Sequence, residues 1–346
     1  MTRRNQPIIW EVLGVLLLSL VFGIAATPAD SQDKIRISYS ALSPNVGVLW
    51  VARTEGFYKK HGLDAEMLFI ESGSLTSQAL AAGEIGVAHN AGAPAIISNA
   101  SGSGEMIIMG LVNSLEYSLV ATPKLKRAED LKGKKIGVSR IGSSSHAAVA
   151  IALDHFKLEP KRDGITIIQG GTTTSRVSAL KAGSVDATVV DPSFVPFLKA
   201  EGYKELSYLG DLGIAYQHAA LVANRGYMKK NREKVLRVVK ACIEATAFII
   251  QDRNTVEIKR VLNRYFKFDD PGKTDDAYKA VKNYALAARK PYPTVEGVSA
   301  LIRFFGRFNP AVAKIAPMDV IDTSLVEELD KSGFIEAAYR QAALVK

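Results

Sequence analysis

Short apolar runs of period two alternate along the first two thirds of the chain with segments of helical period, and this alternation predicts an α/β protein. Most of the strand-like runs are followed by a glycine- or hydroxyl-rich loop and then by a helix. The clearest strand-like runs occupy residues 34–39, 63–70, 105–110, 136–138 and 165–169. After residue 227 the pattern becomes helical, with apolar residues at helical spacing over 233–251, 256–265, 275–288 and 295–308.

One strand–loop–helix–strand unit occurs twice. Residues 73–88 and residues 171–187 each contain a hydroxyl-rich loop, a helix that ends in Ala-Leu-x-Ala-Gly, and a strand. A glycine directly after such a helix is the usual left-handed helix stop. The two copies predict two similar α/β lobes. Ligands of open α/β sheets bind at the carboxyl ends of the strands, which is where these polar loops are expected.

A further loop, Gly142-Ser143-Ser144-Ser145-His146, lies between a buried strand and an alanine-rich helix. Its serines stand where the N-cap of that helix is expected. The start of a helix carries unpaired N–H donors and a partial positive charge, so the loop suits an acidic or polar ligand group. The competing interpretation is that the serines only cap the helix and contact no ligand.

The N-terminus has the pattern of a secretory signal peptide. Arg3 and Arg4 precede an apolar run over residues 12–26, and small residues follow up to Ala29. The run is shorter than the ~20 apolar residues that a spanning helix needs, although an uncleaved anchor stays open. We expect residues 1–29 to be the signal peptide and the protein to reach the periplasm.

Composition argues against several classes of function. The single cysteine, Cys242, lies on an apolar helix face, so we expect no intrachain disulfide and no lipid anchor. The net charge is +9, but no basic stripe with interleaved aromatic residues indicates nucleic acid. The five histidines lack metal-ligand spacing. We therefore expect a soluble monomer without metal, cofactor or catalytic residues.

Taken together, these loops resemble those of the extracytoplasmic solute-binding proteins of ABC importers, in the group that handles nitrate, sulfonates, taurine and thiamine-precursor pyrimidines. The resemblance covers nearly all of the chain after residue 29. It is carried by residues 52–64 and 82–94, by the serine loop, and by residues 182–187 together with Asp191-Pro192.

The resemblance implies a type II periplasmic-binding fold, with two α/β lobes, a two-strand hinge and a cleft that closes on its ligand. Lobe 1 is then discontinuous, over residues 34–118 and 222–346, and lobe 2 covers 119–221. Small polar groups from both lobes are expected to surround the ligand. They are Ser43, Asn45, Ser72, Gly73, Ser74, His89 and Asn90 in lobe 1, and Arg140, Ser143, Ser144, His146, Thr172, Thr173, Thr174 and Asp191 in lobe 2.

We therefore predict a periplasmic protein that captures a small polar organic or weakly anionic solute and delivers it to an ABC permease in the inner membrane. Ile141 and Val190 stand where sulfonate binders often carry a lysine and an aromatic residue, which favours an uncharged or weakly anionic solute. A ligand-sensing subunit of a membrane receptor stays an alternative. An enzyme like the thiamine-pyrimidine synthases is disfavoured by the missing cysteine cluster and by the signal peptide.

Overall fold

Ten strands form two five-stranded sheets in the computed structural model, which describes residues 32–344. The strands are β1 (Asp33–Tyr39), β2 (Leu63–Phe69), β3 (Val87–Asn90), β4 (Glu105–Val112), β5 (Ser118–Ala121), β6 (Lys135–Val138), β7 (Thr166–Gln169), β8 (Ala187–Val190), β9 (Lys204–Tyr208) and β10 (Ala219–Asn224). Sheet 1 has the order β2–β1–β3–β10–β4, and sheet 2 has the order β7–β6–β8–β5–β9.

The two sheets follow one plan, in which four strands share a direction and one strand runs against them. In sheet 1 the opposed strand is β10, between β3 and β4. In sheet 2 it is β5, between β8 and β9. The chain passes between the sheets twice, at residues 113–117 and 209–218. The predicted α/β class with two lobes is thus confirmed, whereas the residue boundaries given above for the lobes stay predictions.

Thirteen helices accompany the sheets in the described residues. They are α1 (Gly47–Thr54), α2 (Phe57–Lys60), α3 (Gly73–Ala82), α4 (Gly92–Asn99), α5 (Ser144–His155), α6 (Thr173–Lys181), α7 (Val195–Ala200), α8 (Arg225–Ile249), α9 (Thr255–Phe266), α10 (Pro271–Ala287), α11 (Val295–Gly306), α12 (Ser324–Lys331) and α13 (Phe334–Leu344). Only α5–α7 lie in the segment that builds sheet 2. We use lobe 1 for sheet 1 with its helices and lobe 2 for sheet 2 with its helices.

Two local features differ from the sequence pattern. The apolar periodicity of residues 48–60 predicts one helix, but α1 and α2 are separate because Gly56 adopts a left-handed conformation between them, with φ of 79°. Helix α8 consists of two segments: a short one from Arg225 precedes the helix that the pattern predicts from residue 233, and they meet at a kink at Asn231, whose φ of −131° and ψ of 32° are not helical. The side chain of Asn224 accepts the N–H groups of Gly226 and Tyr227 and so caps the added turns.

Apolar packing holds the lobes together as well as each sheet. A first core fills lobe 1 and includes Cys242, which is fully buried beside the hydroxyl of Tyr58, and burial raises the pKa of this thiol to about 12. A second core continues from lobe 1, at Ile96, into lobe 2, at Ile136 and Ala148. The lobes are therefore in apolar contact beside the two connections.

The predicted signal peptide, residues 1–29, lies outside the residues that the structure describes. Within residues 32–344, no helix combines the length and the apolar character that crossing a membrane requires.

A buried carboxyl group lies at the start of β4. Glu105 is fully buried, and its side chain accepts a hydrogen bond from Ser77 at 3.0 Å. Burial raises the pKa of Glu105 to about 7, because charging the group here costs solvation that three serine hydroxyls only partly replace. Ser77 in turn accepts from Asn90, which also donates to the carbonyl of Gly73. The buried carboxyl is thus linked to the first residue of α3.

We predict that Glu105→Gln stabilises the protein at high pH only. The folded protein holds the proton of Glu105 more tightly than the unfolded chain, so its stability falls as pH rises from about 4.5 to about 7. Removing the charge should raise the free energy of unfolding by about 3 kcal/mol at pH 8 and change it little at pH 4, as measured by urea denaturation. Glu84→Gln, at an exposed position, serves as the control. An equal effect of Glu105→Gln at both pH values would contradict the prediction.

Candidate functional site

A cavity of about 60 Å³ lies between the lobes, at the carboxyl ends of β1, β2, β6 and β7. This is the position that open α/β sheets use for ligands. Both lobes and the first connection contribute to its wall. The lining residues are Ser40, Ala41, Leu42, Phe69, Glu71 and Gly73 from lobe 1, Tyr117 from the connection, and Ser139, Ser144, Ser145, Thr172, Thr173, Thr174 and Arg176 from lobe 2.

Three helix N-termini converge on this cavity. Their N-caps are Ser72 for α3, Ser143 for α5 and Thr172 for α6, and each side chain accepts the N–H of the residue three positions on. The other N–H groups of the first turn have no carbonyl acceptor within their own helix. The partial positive charges of three helices, one from lobe 1 and two from lobe 2, therefore meet at one small space.

Arg176 adds a full positive charge to this space. Its side chain is buried, at 3% exposure, and donates only to neutral acceptors: the carbonyls of Gly171 and Val189 and the hydroxyls of Thr173 and Thr188. No acidic side chain among residues 32–344 forms an ion pair with it. Burial lowers the pKa of Arg176 to about 10, so the group stays charged at neutral pH.

The guanidinium of Arg176 is incompletely satisfied by the protein. A guanidinium carries five N–H donors, and the described residues accept four of them. One donor, on Nη1, is left, together with a charge that no described carboxylate neutralises. A ligand with an anionic oxygen would complete both the hydrogen bonding and the charge.

The second arginine near the cleft, Arg140, has a different position. Its guanidinium lies 3.6 Å from the carboxylate of Glu71, and both side chains are almost half exposed. This pair joins lobe 2 to lobe 1. The sequence predicts that Arg140 contacts the ligand, but here its positive charge is paired with the carboxylate of Glu71. Arg140 does not line the cavity. Its predicted contact with the ligand stays a prediction.

Ser43 and Asp191 form a direct contact between the lobes. The hydroxyl of Ser43 donates to the Asp191 carboxylate at 2.6 Å, and Tyr284 of α10 approaches the same oxygen at 3.5 Å. Burial raises the pKa of Asp191, although hydrogen bonds from Ser193 and Ser43 oppose the shift. The two predicted ligand residues Ser43 and Asp191 therefore contact each other.

Asn45 and His89 meet His218 of the second connection in a buried cluster. Nε2 of His89 donates to the carbonyl of Asn45 at 3.2 Å, and the Asn45 amide lies 3.3 Å from Nε2 of His218. Burial lowers the pKa of His89 to about 4 and that of His218 to about 3. Both imidazoles are therefore neutral at pH 7, and neither supplies positive charge to a ligand.

Three further predicted residues, Asn90, Ser74 and His146, lie beside the cavity and not in its wall. The Asn90 side chain bonds within lobe 1, to Gly73, Ser77 and the N–H of Ala91. Ser74 lies 3.3 Å from the Ser72 hydroxyl. Nδ1 of His146 accepts the N–H of Gly142 and so closes the serine loop. Of the predicted set, the cavity wall contains Gly73, Ser144, Thr172, Thr173 and Thr174.

A model of the NMT1/THI5-like family matches residues 43–255 of this chain. The matched segment includes both connections and all of sheet 2, and it covers more than half of the chain. The chain belongs to the NMT1/THI5-like family.

Relatives of this family member are named as candidate binding proteins. One from Brucella abortus (strain 2308) is 26% identical over 310 residues, which cover 87% of this chain and 94% of the relative. Another, from Brachyspira hyodysenteriae (strain ATCC 49526 / WA1), is named as a candidate ABC transporter periplasmic binding protein. It is 27% identical over 60% of this chain and 63% of its own length.

Solved structures share the fold at lower identity. The periplasmic nitrate-binding protein NrtA from Synechocystis PCC 6803 has a TM-score of 0.70 at 16% identity, over 86% of this chain and 88% of that chain. The alkanesulfonate-binding protein SsuA from Xanthomonas axonopodis pv. citri, bound to MOPS, has a TM-score of 0.65 at 20% identity, over 82% and 95%. The expected periplasmic-binding fold is confirmed.

For this NMT1/THI5-like protein, the sequence pattern missed Arg176, Tyr117 and Phe69 of the cavity wall. Arg176 lies in the second copy of the repeat, and its helical position places it one turn after the N-cap Thr172. That spacing could have identified Arg176 as a cavity residue, because the N-cap of a helix and the residue four positions later lie on the same face. Nothing in the local pattern distinguishes Phe69 or Tyr117 from core residues.

We predict that Ser144→Ala weakens ligand binding by about 1 kcal/mol, the net contribution of one hydrogen bond, which is roughly a fivefold rise in Kd. Ser144 begins α5 and lines the cavity. Ser324→Ala is the matched control, because Ser324 likewise begins a helix, α12, but lies outside the cavity wall. Titration calorimetry with a ligand found by screening measures both. Equal losses in the two variants would argue against a specific role for Ser144.

Proposed function

We propose that this NMT1/THI5-like protein is a periplasmic solute-binding protein that captures a small anion between its lobes and delivers it to an ABC permease in the inner membrane, without covalent chemistry. The observation that carries the proposal is the buried charge of Arg176, which has no carboxylate partner in the described residues and lies beside three converging helix N-termini. Export through the N-terminal signal peptide is part of the proposal.

The electrostatics support an anion over a neutral solute. A buried charge without a partner is costly, and the cost is relieved when a counter-charge binds. The carboxylate in the cavity wall, Glu71, pairs with Arg140 and lies at the exposed side. The residues at positions 141 and 190 favour a neutral solute on sequence grounds, but the buried guanidinium is the stronger argument because it acts on the cavity directly.

The names of similar proteins agree with the proposal. The nitrate-binding and alkanesulfonate-binding structures are named for oxyanion ligands, and the Brachyspira relative is named for ABC transport in the periplasm. The position of the cavity also agrees, because both lobes contribute to its wall, as capture of a solute between two lobes requires.

A screen of the purified protein against small oxyanions tests the proposal. Nitrate, short alkanesulfonates and short carboxylates are compared with neutral amides and sulfonamides of matching shape. An anion present at about a hundred times its Kd should raise the free energy of unfolding by about 2.7 kcal/mol, which thermal denaturation detects. The neutral analogues should give no comparable shift. Equal stabilisation by a neutral analogue would overturn the assignment of an anionic ligand.

We further predict that Arg176→Met lowers the affinity for the anion by about tenfold or more, because a hydrogen bond to a charged group contributes about 1.5–3 kcal/mol. Arg36→Met is the matched control, since it removes an exposed arginine that pairs with Glu66 outside the cavity wall. Calorimetry measures affinity, and circular dichroism verifies that the variants fold. If Arg176→Met does not fold, Arg176→Lys takes its place in the test. Because this variant keeps the positive charge, it should retain part of the binding. A loss that is equal in both Met variants would contradict the prediction.

A further inference from the structure

The wall of the cavity is chemically divided between the lobes. The lobe 2 side consists of hydroxyl groups, helix starts and Arg176. The lobe 1 side presents the apolar side chains of Leu42 and Phe69, next to Ser40, Glu71 and the start of α3 at Gly73. An oxyanion bound to Arg176 and the helix starts can therefore direct the rest of its molecule toward the apolar part of this wall, Leu42 and Phe69.

The ring of Phe69 is supported from behind by a stack of aromatic side chains. It lies against Tyr39, with ring centroids 5.5 Å apart, and Tyr39 meets Trp50 edge-on at 5.8 Å. Trp50 is fully buried and stacks on Tyr265 at 4.6 Å. Because protein interiors are closely packed, this support leaves Phe69 no room to withdraw into lobe 1.

The volume of the cavity limits what fits between these two sides. About 60 Å³ accommodates roughly four water-sized positions, given the ~15 Å³ that one water needs on this measure. The oxygens of one sulfonate or carboxylate group occupy most of that space. What is left beside Leu42 and Phe69 suits a short alkyl group, and a longer one that extends in this direction meets the ring of Phe69.

We propose that Phe69 is a specificity-determining residue, which sets the maximum length of the apolar part of the ligand. The inference rests on the proposed function, because it needs an oxyanion anchored near Arg176. The ligand class is then a small oxyanion that carries at most a short alkyl group. Its head group is a sulfonate or a carboxylate.

The test compares the wild-type protein with Phe69→Ala on two homologous series, methane- to hexanesulfonate and acetate to heptanoate, by titration calorimetry. For the wild type, affinity should be highest for the short members and fall by about tenfold or more for the long ones. In Phe69→Ala the limit should move to longer chains, with a gain of about fourfold for each methylene that becomes buried. The shortest members should bind both proteins similarly. The series that binds identifies the head group.

Phe308→Ala is the matched control, since Phe308 is 70% exposed and lies outside the cavity wall. Phe69→Leu, a smaller change, should move the limit less and guards against misfolding of the Ala variant. If Phe69→Ala leaves the chain-length profile unchanged while short anions still bind, the role of Phe69 is wrong and the proposed function stands. If a wild type that folds binds no member of either series, nor nitrate, both proposals fail. Equal binding of short and long chains by the wild type also overturns the role of Phe69.

Discussion

The buried charge of Arg176 is the constraint on which the cleft depends. A guanidinium removed from water requires acceptors, and the protein supplies them from the loop before α6, from the first residue of α6 and from β8. These contacts fix the loop at the end of β7 against β8, which lies on the other side of β6 in sheet 2. They do not neutralise the charge. The residue that orders the wall of the cavity therefore also leaves a positive charge there without a carboxylate partner in the described residues, and the proposed preference for anions rests on this charge.

The contacts between the lobes show how such a cavity is enclosed. Ser43 with Asp191 and Glu71 with Arg140 each join the two lobes, and Arg307 of lobe 1 lies 3.1 Å from Asp154 of α5. Exposed ion pairs contribute little individually, whereas the apolar core that runs from Ile96 to Ala148 is continuous. Apolar contact beside the connections thus holds the lobes together, and the polar pairs add contacts between them.

Much of the fold was predictable from the sequence, because each lobe repeats a local pattern. The hydroxyl-rich loops before α3 and α6, and the serine loop before α5, are local features, and they occur at the cavity as expected. The two copies of the repeat, as read from the sequence, are two residues out of register at their starts. The N-caps Ser72 and Thr172 correspond, whereas the sequence comparison paired Gly73 with Gly171.

The roles of individual polar residues were less predictable, because they depend on partners that are distant in the sequence. Arg140 is paired with Glu71, and His89 is neutral because its burial lowers its pKa, although the hydrogen bond to the carbonyl of Asn45 opposes the shift. Asp191 meets Ser43 across 148 positions of sequence. None of these pairings follows from the neighbouring residues. Local pattern therefore located the cleft, and only tertiary contacts separate the residues that line it from those that hold it together.

The position of β10 also has a consequence for how the chain is assembled. β10 lies between β3 and β4 in sheet 1 but follows all strands of sheet 2 in the sequence. Sheet 1 therefore has an open gap next to its centre until residue 224 is available, whereas sheet 2 is complete at residue 208. Contacts of this large sequence separation are intrinsically slow to form. During synthesis or export, lobe 1 begins first and is finished last, with two unpaired strand edges to protect in the meantime.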